Sequence, residues 1–253
     1  MYGAERQGEI ARQARQQGRV EVAELALAFD VSLETIRRDL TALERSGVVR
    51  RVHGGAIPAE RMRHEAALAV RADTRTLEKR RIAEAALVEL EGAETVLLDA
   101  GSTTAHLAEL LPAGRELTVV TNAVPIALML AQRGDHTVHL LGGRVRQRTL
   151  ATVDHVALQG LADLSVDVAF VGCNGISVER GFTTADPSEA AVKRAMVAAG
   201  RRVVVMADSS KVGDDQFARF ARLDDVETLI MDSGVDPRVA ADLEQAGPRV
   251  VIA

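Results

Sequence analysis

Hydrophobic residues follow two different patterns along this chain, and the change between them divides it into two parts. Near the N-terminus, apolar side chains recur every three or four residues, which predicts helices from about Glu5 to Gln16 and over Val22–Phe29. A third helix with one apolar face is predicted by the spacing of Leu33, Ile36, Leu40 and Leu43. Only Asp30 and Val31 lie between the end of the second helix, at Phe29, and Ser32, which precedes the third helix. A tight turn is therefore predicted there.

The face of the third helix that lacks apolar residues carries two adjacent arginines. Ser32 precedes this helix, where a serine can accept a hydrogen bond from an otherwise unpaired backbone N–H of the first turn. Arg37 and Arg38 could donate paired hydrogen bonds to guanine or bind phosphates. For this stretch alone, a solvated arginine pair on a surface helix would be the simpler interpretation. The preceding helix and tight turn favour a helix-turn-helix instead.

Residues 48–57 predict a strand, a glycine turn and a second strand directly after the third helix. Such a hairpin can be a wing that lies along phosphates or in the minor groove, and it can also close the core of a small domain. We predict a winged helix-turn-helix domain over residues 1–58. Asp39 is interpreted as a structural partner of a nearby arginine rather than as a base contact. The predicted DNA contacts are Ser32, Glu34, Thr35, Arg37, Arg38, Arg50, Arg51 and His53.

The distribution of charge supports this division, although a net charge of −5 is unusual for a nucleic-acid-binding protein. Residues 1–64 contain 11 Lys and Arg against 9 Asp and Glu, whereas the rest of the chain contains 20 against 27. Positive charge is therefore concentrated where DNA binding is predicted. Aromatic residues make up 2% of the chain, so the base stacking used to bind single strands is scarcely available. Double-stranded DNA is the favoured partner.

Residues 77–253 alternate short apolar runs with amphipathic stretches. Residues 59–76, which are charged and weakly periodic, are predicted to be a linker before them. Continuous Val, Leu and Ile runs between helices predict an α/β fold, with a mostly parallel sheet covered on both faces. The predicted strands are Thr95–Asp99, Leu117–Thr121, Thr137–Leu141, Val168–Val171, Arg202–Ala207, Thr228–Met231 and Arg249–Ile252.

Small, polar and charged residues follow five of these strands, at the edge where parallel sheets bind ligands. After the first strand, residues 99–104 open a helix whose N-terminus favours an anion. Ser102 or Thr103 could instead only cap that helix, and the stretch matches neither a P-loop nor a dinucleotide-binding turn. Together the strand ends predict a site for a polyol phosphate. Its members at these ends are Asp99, Gly101, Ser102, Thr103, Thr104, Thr121, Asn122, Asn174, Gly175, Asp208 and Lys211.

Three further residues near the strand ends have alternative interpretations. Glu189 is included in the predicted site, although it follows Asp-Pro-Ser and could only complete a helix capping box. Lys193 is included as well, although it could simply pair with Glu189 one helical turn away. Cys173 is more typical of a packing residue than of a nucleophile, because no base is evident beside it. No cluster of His, Cys and Asp has metal-ligand spacing, so neither a metal nor another cofactor is expected.

The remaining features of the sequence concern the cellular compartment. Cys173 is the single cysteine, so an intramolecular disulfide is excluded, which fits a reducing cytoplasm. No apolar run approaches the roughly 20 residues that a membrane span requires, and the N-terminus lacks the apolar core of a signal peptide. We expect a cytoplasmic protein that associates with the nucleoid when it binds an operator and that has no membrane partner.

These stretches together resemble the DeoR/GlpR family of bacterial regulators of sugar catabolism. Residues 6–56 are similar to the DNA-binding part of that family, above all in Ser32–Leu40 and Arg51–Ala56. The second part looks like the family's effector domain, which is similar in fold to ribose-5-phosphate isomerases. The stretches that carry the second resemblance are Leu98–Thr104, Val120–Asn122, Leu141–Gly143, Asn174–Ile176 and Asp208–Lys211.

The resemblance implies a transcriptional regulator, usually a repressor, that a phosphorylated sugar releases from its operator. It also implies that Asp208 and Lys211, and the basic residues Arg71 and Lys79, take part in the effector response. Three segments are similar to the branch of the family that controls fructose phosphotransferase operons, which implies fructose 1-phosphate as the effector. These segments are Met1–Gln7, Arg144–Leu150 and Ala185–Met196.

Two other functions remain open at this point. A sugar-phosphate isomerase fused to a DNA-binding domain would need a general base beside the C2 proton of the sugar, for which Glu189 and Asp208 are the candidates. A second domain that serves only for oligomerisation is disfavoured by the five polar strand ends. We expect a homo-oligomer, a dimer or a tetramer, because a single winged helix covers few base pairs. The DNA-binding domains of two subunits would read repeated half-sites.

Overall fold

A computed structural model describes residues 3–45, 48–52, 54–58 and 67–253 of the chain. The chain divides into two compact units, residues 1–65 and residues 66–253. We call them the N-terminal unit and the C-terminal unit. The C-terminal unit begins before residue 77, the start expected from the sequence pattern.

In the part of the N-terminal unit that the structure describes, three helices pack with a small antiparallel sheet. The helices are α1 (Gly3–Gln17), α2 (Val22–Phe29) and α3 (Leu33–Arg45), and the strands are β1 (Val20–Glu21), β2 (Val49–Val52) and β3 (Gly55–Pro58). The strands are ordered β1-β3-β2, so the strand before α2 extends the β2–β3 hairpin. The predicted winged helix-turn-helix is confirmed.

Helix α3 is anchored by its apolar stripe. Ile36 and Leu40 are fully buried and belong to the same core as Ile10 of α1. Leu33, which the sequence pattern assigned to this stripe, is 46% exposed, so that part of the prediction was wrong. At about 100° per residue, Leu33 lies at the margin of the stripe beside the polar face, where the core does not cover it.

Glycine is required at the tip of the hairpin. Gly54 has a φ of +76°, in the left-handed region that residues with a Cβ avoid. A Cβ on Gly55 would lie 2.0 Å from the carbonyl oxygen of Val20, because β3 pairs with β1 there. The two glycines therefore allow the hairpin to turn and to pack against β1.

Helices and strands alternate through the C-terminal unit. Its helices are α4 (Leu68–Ala72), α5 (Thr76–Ala86), α6 (Ser102–Leu110), α7 (Val124–Arg133), α8 (His155–Ala162), α9 (Pro187–Ala199) and α10 (Pro237–Gln245). Its strands are β4 (Thr95–Leu98), β5 (Thr118–Thr121), β6 (Thr137–Leu140), β7 (Arg144–Arg146), β8 (Ala151–Val153), β9 (Val166–Gly172), β10 (Gly175–Ser177), β11 (Gly181–Thr184), β12 (Gly200–Met206), β13 (Ala218–Ala221), β14 (Thr228–Met231) and β15 (Arg249–Ile252). None of the helices described in either unit has the length and apolarity needed to cross a membrane.

Seven of the strands described in this unit form one sheet, ordered β15-β14-β12-β9-β4-β5-β6. All its adjacent strands are parallel, and the predicted α/β fold is confirmed. The chain order reverses beside β4, because β5 and β6 lie on one side of it and the later strands on the other. The boundary between β4 and β9 is therefore the topological switch point, where open parallel sheets bind ligands.

Both faces of this sheet are covered, as the continuous apolar runs predicted. Leu97 of β4 belongs to one core with Val171 and Val205, whereas its neighbours Val96 and Leu98 belong to the other. Successive residues of a strand point to opposite faces, so each strand contributes to both cores. Because both faces are covered, a ligand of this sheet is expected at its strand ends.

Two features of the C-terminal unit were not predicted. Residues 67–76, expected to be part of a linker, contain α4 and belong to this unit. Two accessory sheets, β7–β8 and β10–β11–β13, accompany the main sheet. Their strands are three or four residues long and lack a continuous apolar run, which is why the hydrophobic pattern did not reveal them.

Candidate functional site

Ser32 caps helix α3, as predicted. Its Oγ accepts a hydrogen bond from the backbone N–H of Thr35 at 3.1 Å and lies 2.9 Å from the Thr35 hydroxyl oxygen. A cap of this kind typically stabilises a helix by about 1 kcal/mol. It also defines the first turn of the helix, whose side chains would meet DNA.

The polar face of α3 is turned to solvent. Arg37 and Arg38 have side chains that are 54% and 82% exposed, and Glu34 lies 3.6 Å from the first and 3.8 Å from the second. Exposed ion pairs of this type contribute little to stability. The two guanidinium groups can therefore exchange Glu34 for a base edge or a phosphate at small cost.

Arg51 fastens the hairpin to α3. Its backbone N–H donates to the Glu44 carboxylate at 2.9 Å, and its guanidinium donates to the Thr41 hydroxyl at 3.1 Å. A phosphate contact by Arg51 stays a prediction. His53 and the side chain of Arg50, two other predicted DNA contacts, lie outside the described residues.

Asp39 is a structural partner of an arginine, as predicted from the sequence. It is 5% exposed and accepts hydrogen bonds from Arg6 Nε at 2.6 Å and from the Gln7 side chain at 2.9 Å. The contact joins α1 to α3 inside the N-terminal unit. Arg37 and Arg38 take no part in this contact, and their side chains remain exposed.

Asp99, which follows β4, is the centre of a site at the switch point of the C-terminal sheet. It is 1% exposed, and its Oδ2 accepts hydrogen bonds from the Gly172 N–H at 3.0 Å and from the Lys193 ammonium group. Burial raises the pKa of the Asp99 carboxyl, and the Lys193 charge opposes that shift. Lys193 also donates to the Gly172 carbonyl oxygen at 2.9 Å. Lys193 thus pairs with Asp99 and not with Glu189, the partner that helical spacing suggested.

Glu189 does not complete a capping box. The first turn of α9 is capped by Asp186, whose Oδ1 accepts from the N–H groups of Ser188 at 2.9 Å and Glu189 at 3.1 Å. The Glu189 carboxylate instead accepts hydrogen bonds from Arg146 at 3.0 Å and from the Thr149 hydroxyl. It therefore connects α9 to the β7–β8 hairpin, close to the switch point.

Asn174 and Gly175, which follow β9, have structural partners. The Asn174 Oδ1 accepts a hydrogen bond from the Thr184 hydroxyl at 2.8 Å. A Cβ on Gly175 would lie 1.7 Å from the carbonyl oxygen of Asp214, so close backbone approach requires a glycine there. Effector contacts by these two residues stay predictions.

Thr121, the last residue of β5, and Asn122, which follows it, hold the loop that leads into α6. The Thr121 hydroxyl donates to the Leu98 carbonyl oxygen at 2.6 Å, and the Asn122 Oδ1 accepts from the Ala100 N–H at 2.9 Å. Both side chains are buried. Their observed contacts shape the loop that follows Asp99, and a direct contact with an effector stays a prediction.

The N-terminus of α6 has no side-chain cap among the described residues. Its N-cap is Gly101, and the Thr104 hydroxyl donates back to the Gly101 carbonyl oxygen at 3.0 Å. The interpretation that Ser102 or Thr103 only caps this helix was therefore wrong. The unpaired N–H groups and the helix dipole leave a position that favours an anion.

A second cluster lies at the ends of β12 and α5. Asp208 is 2% exposed and accepts hydrogen bonds from the N–H of Ser210, at 3.1 Å, and from its hydroxyl. The Lys211 Nζ lies 4.0 Å from Asp208 Oδ2. Two of the residues that the family resemblance ties to the effector response are thus paired.

Lys79 lies in the same cluster, on α5. Its ammonium group donates to the carbonyl oxygens of Arg71, on α4, and of Thr74, at 2.6 Å for the latter. The pKa of Lys79 is lowered to about 8, chiefly by burial and also by the charges of Lys211, Arg71 and Arg75, while the charge of Asp208 opposes the shift. The four residues that the resemblance ties to the effector response therefore influence one another electrostatically.

Four residues of these clusters were missed by the sequence reasoning: Arg75, Arg146, Thr149 and Asp232. Asp232 directly follows the predicted strand Thr228–Met231, so the rule that found Asp208 could also have found it. It accepts hydrogen bonds from the Ser209 N–H at 2.6 Å and the Gly234 N–H at 2.9 Å. Arg146 and Thr149 depend on the β7–β8 hairpin, which carried no signal in the hydrophobic pattern.

Cys173 lies near both clusters. Burial raises the pKa of its thiol to about 12, and the charged groups that act on it are Lys211, Lys193, Asp208 and Asp99. A thiol with such a pKa is protonated at neutral pH and is a poor nucleophile. Cys173 is a packing residue that contacts the hydrophobic core and is close enough to both carboxylate–lysine pairs to interact with them electrostatically.

Family models match both units. Residues 6–61 match the DeoR-like helix-turn-helix domain, and residues 74–233 match the DeoR C-terminal sensor domain. The chain belongs to the DeoR family. Its N-terminal unit is the DNA-binding domain of this regulator, and its C-terminal unit is the sensor domain.

Relatives of this DeoR-family chain are similar along almost its whole length. The HTH-type transcriptional regulator GlpR of Haloferax volcanii is 36% identical over 252 residues, which cover 99% of this chain and 98% of GlpR. An uncharacterized HTH-type transcriptional regulator of Bacillus subtilis, FruR, is 35% identical over 233 residues, 92% of each chain. Among solved structures, ribose 5-phosphate isomerase A of Neisseria gonorrhoeae aligns with a TM-score of 0.38 and 18% identity over 53% of this chain and 52% of that one.

The DeoR-family assignment decides between the functions that the sequence left open. The protein is a DNA-binding transcriptional regulator of sugar metabolism, of the repressor type, and not an enzyme. The carboxylates that an isomerase would use as bases have other partners, since Glu189 binds Arg146 and Asp208 binds Ser210.

The lowered pKa of Lys79 predicts a pH-dependent stability. Its ordinary pKa is 10.5 and its folded value is about 8, so between these values the unfolded chain binds more protons at this site than the folded chain. Stability attributable to Lys79 should therefore rise with pH across this window, as the buried charge is lost. Calorimetric midpoints of wild type and Lys79→Met, compared from about pH 7 to about pH 10, should diverge in favour of wild type.

Lys79→Arg is the matched control, because an arginine keeps its charge throughout this window. Its midpoint relative to Lys79→Met should show no such rise. A difference between wild type and Lys79→Met that stays constant with pH would contradict the burial of a titrating Lys79.

Proposed function

We propose that a phosphorylated sugar binds the carboxyl edge of the sensor sheet and releases the regulator from its operator, and that fructose 1-phosphate is the effector. The observation that carries this proposal is the N-terminus of α6, which has no side-chain cap among the described residues. Helices α5, α7 and α8 also lack a side-chain cap, but α6 is the helix that follows β4, at the switch point where open parallel sheets bind ligands. The unpaired N–H groups of α6 therefore suit an anion supplied from outside the chain.

The phosphate is assigned to the first turn of α6. Backbone N–H groups there would donate to phosphate oxygens, and the hydroxyls of Ser102 and Thr103 would add hydrogen bonds. Gly101 and Ala100 before them present little side chain, which permits close approach to the backbone. Thr104 has its hydroxyl engaged with Gly101 and would contribute through its N–H.

The sugar is assigned to the polar groups near Cys173. Carboxylates and amide oxygens accept hydrogen bonds from sugar hydroxyls, which suits Asp99, Asn174 and Asp208. Lys193 and Lys211 already neutralise the two carboxylates, so the site can take up a phosphate dianion without a large excess of negative charge. Glu189, Thr121, Asn122, Gly175, Arg71 and Lys79 complete the proposed effector site.

The choice of fructose 1-phosphate rests on the resemblance of three segments to regulators of fructose phosphotransferase operons. Two of them, Arg144–Leu150 and Ala185–Met196, contain Arg146 and Glu189, which bind each other beside Asp99. We further propose that the regulator acts as a homo-oligomer, a dimer or a tetramer, whose paired DNA-binding domains read repeated half-sites.

Loss of the recognition arginines should weaken operator binding. Arg37→Ala or Arg38→Ala should cost about 1–3 kcal/mol of specific binding if the arginine contacts a base, because an exposed guanidinium that can reach a groove loses its hydrogen bonds. Arg51→Ala should instead weaken binding to all DNA and reduce its salt dependence. Fluorescence anisotropy with operator and unrelated duplexes measures both.

The matched control is Arg80→Ala, which removes an arginine that is exposed on α5 of the sensor domain and pairs with Glu84. It should bind the operator as wild type does. Wild-type affinity in an Arg37→Ala/Arg38→Ala double variant would contradict the assignment of α3 as the recognition helix.

Loss of the two hydroxyls assigned to the phosphate, those of Ser102 and Thr103, should abolish release of the operator by the effector, while operator binding itself persists. In Ser102→Ala/Thr103→Val the hydroxyls that face the anion are gone, so fructose 1-phosphate should no longer dissociate the regulator–operator complex. Coupling of this kind is typically about 1–3 kcal/mol, or about 5- to 150-fold in affinity. Anisotropy of labelled operator is followed with fructose 1-phosphate, fructose 6-phosphate and fructose.

Ser165→Ala is the matched control, since Ser165 is exposed and precedes β9 at the opposite edge of the sheet. It should respond as wild type does. Free fructose should fail to release wild type, because it lacks the phosphate. Release by fructose at the same concentration, or a full response of the double variant, would contradict the proposed phosphate position.

A further inference from the structure

Residues 67–75, which we call the lead-in segment, are held by groups at the carboxyl edge of the sensor sheet. The segment includes α4 and precedes α5, and in the sequence it follows the DNA-binding domain. The N–H of Leu68 donates to the carbonyl oxygen of Arg148 at 2.8 Å, in the loop between β7 and β8. Two carbonyl oxygens of the segment accept hydrogen bonds from Lys79. Its position therefore depends on residues that neighbour the proposed effector site.

Arg75 ends the lead-in segment with a backbone conformation that residues with a Cβ seldom adopt. Its φ is +53° and its ψ is 43°, at the N-cap of α5, so the surroundings must stabilise it. Its guanidinium is 31% exposed and lies 3.7 Å from the carboxylates of both Asp208 and Asp232. Its Nε lies 3.5 Å from Glu78. Arg75 thus bridges the ends of the neighbouring strands β12 and β14.

Asp232 is the fixed side of this bridge. Its carboxylate accepts hydrogen bonds from the N–H and hydroxyl of Ser209, at 2.6 and 3.0 Å, and from the N–H of Gly234 at 2.9 Å. Burial raises the pKa of Asp232, but these hydrogen bonds lower it overall. A Cβ on Gly234 would lie 2.7 Å from both Asp232 Oδ2 and Ser209 Oγ. A glycine at position 234 therefore allows the Asp232 carboxylate to keep this position.

Asp208 is the carboxylate of this bridge whose ionic contacts an effector would change. Lys211 and Arg75 both face its carboxylate, at 4.0 and 3.7 Å, which is longer than a charge-assisted hydrogen bond. A phosphorylated sugar would attract Lys211 and offer hydroxyls to Asp208. Either change alters the electrostatic attraction between Asp208 and Arg75.

We infer that Arg75 is a positioning residue that transmits effector binding from Asp208 to the lead-in segment, and so to the DNA-binding domain that precedes it in the chain. The inference rests on the proposed function. Lys79 also acts electrostatically on Asp208, but Arg75 lies within ion-pair distance of its carboxylate, at 3.7 Å. When an effector draws Lys211 away from Asp208, the attraction between Arg75 and that carboxylate is therefore less opposed. The backbone of residue 75 moves with its side chain, and the lead-in segment is shifted.

The test separates effector binding from operator release. Arg75→Gln removes the cation, so fructose 1-phosphate should still raise the thermal midpoint of the full chain, and the operator should still bind. Release of the operator by fructose 1-phosphate should weaken by about tenfold or more in concentration. Amide hydrogen exchange of residues 67–75 should respond to fructose 1-phosphate in wild type and not in the variant.

Two further variants address folding and charge. Gly234→Ala leaves Arg75 in place but displaces Asp232, and it should show the same loss of release with effector binding retained. Arg75→Lys keeps one charge without the forked geometry and should restore release in part. Arg80→Gln, one turn into α5, should behave as wild type in all assays.

Different results overturn different claims. If wild type shows neither a midpoint shift nor release with fructose 1-phosphate, fructose 6-phosphate or other sugar phosphates, the proposed function fails and the inference fails with it. If wild type responds and Arg75→Gln is released equally well, only the role of Arg75 is overturned. Loss of effector binding in Arg75→Gln would make Arg75 a ligand contact and would also overturn its role as a positioning residue.

Discussion

A buried ion pair between Asp99 and Lys193 is the interaction on which the sensor site depends. The two side chains are 2% and 6% exposed, and both contact Gly172 at the end of β9. Removing one member of such a pair typically costs about 3–5 kcal/mol, because the other charge stays buried. The pair joins β4 to β9 and α9 across the topological switch point. The loop before α6 and the loop after β9 both start from this contact.

Charges of both signs surround this contact and can be redistributed by a ligand. Asp208 and Lys211 repeat the carboxylate–lysine arrangement, with a longer separation of 4.0 Å. Lys193 makes a hydrogen bond with Asp99, whereas Lys211 lies beyond hydrogen-bond distance of Asp208. In our proposal the Asp99–Lys193 pair keeps its geometry when a sugar phosphate binds, and the Asp208–Lys211 pair responds to it.

The fold and part of the site could be predicted from the sequence because both follow from local patterns. Apolar runs predicted the seven parallel strands, and polar residues directly after them identified Asp99 and Asp208. Pairing between residues far apart was not predictable: Lys193 lies 94 positions from Asp99, and helical spacing suggested a different partner. The role of Arg75 was not predictable from the sequence either. Its left-handed backbone conformation is stabilised by contacts with Asp208 and Asp232, which are distant in the chain.

The exposed Leu33 and the short accessory strands are features of the fold that local sequence patterns also failed to predict. Each depends on what packs beside it rather than on its own neighbours in the chain. For the N-terminal unit, by contrast, capping, helical period and two glycines sufficed, since these signals act within a few residues.

The central claim, that the sensor sheet binds a phosphorylated sugar, is tested most directly by thermal unfolding of the full chain in the presence of sugar phosphates. A ligand that binds only the folded protein stabilises it by about 2.7 kcal/mol at 100 times its dissociation constant. Fructose 1-phosphate should raise the unfolding midpoint in a concentration-dependent manner, whereas fructose should leave it unchanged. An unchanged midpoint with fructose 1-phosphate and every other sugar phosphate would contradict the claim.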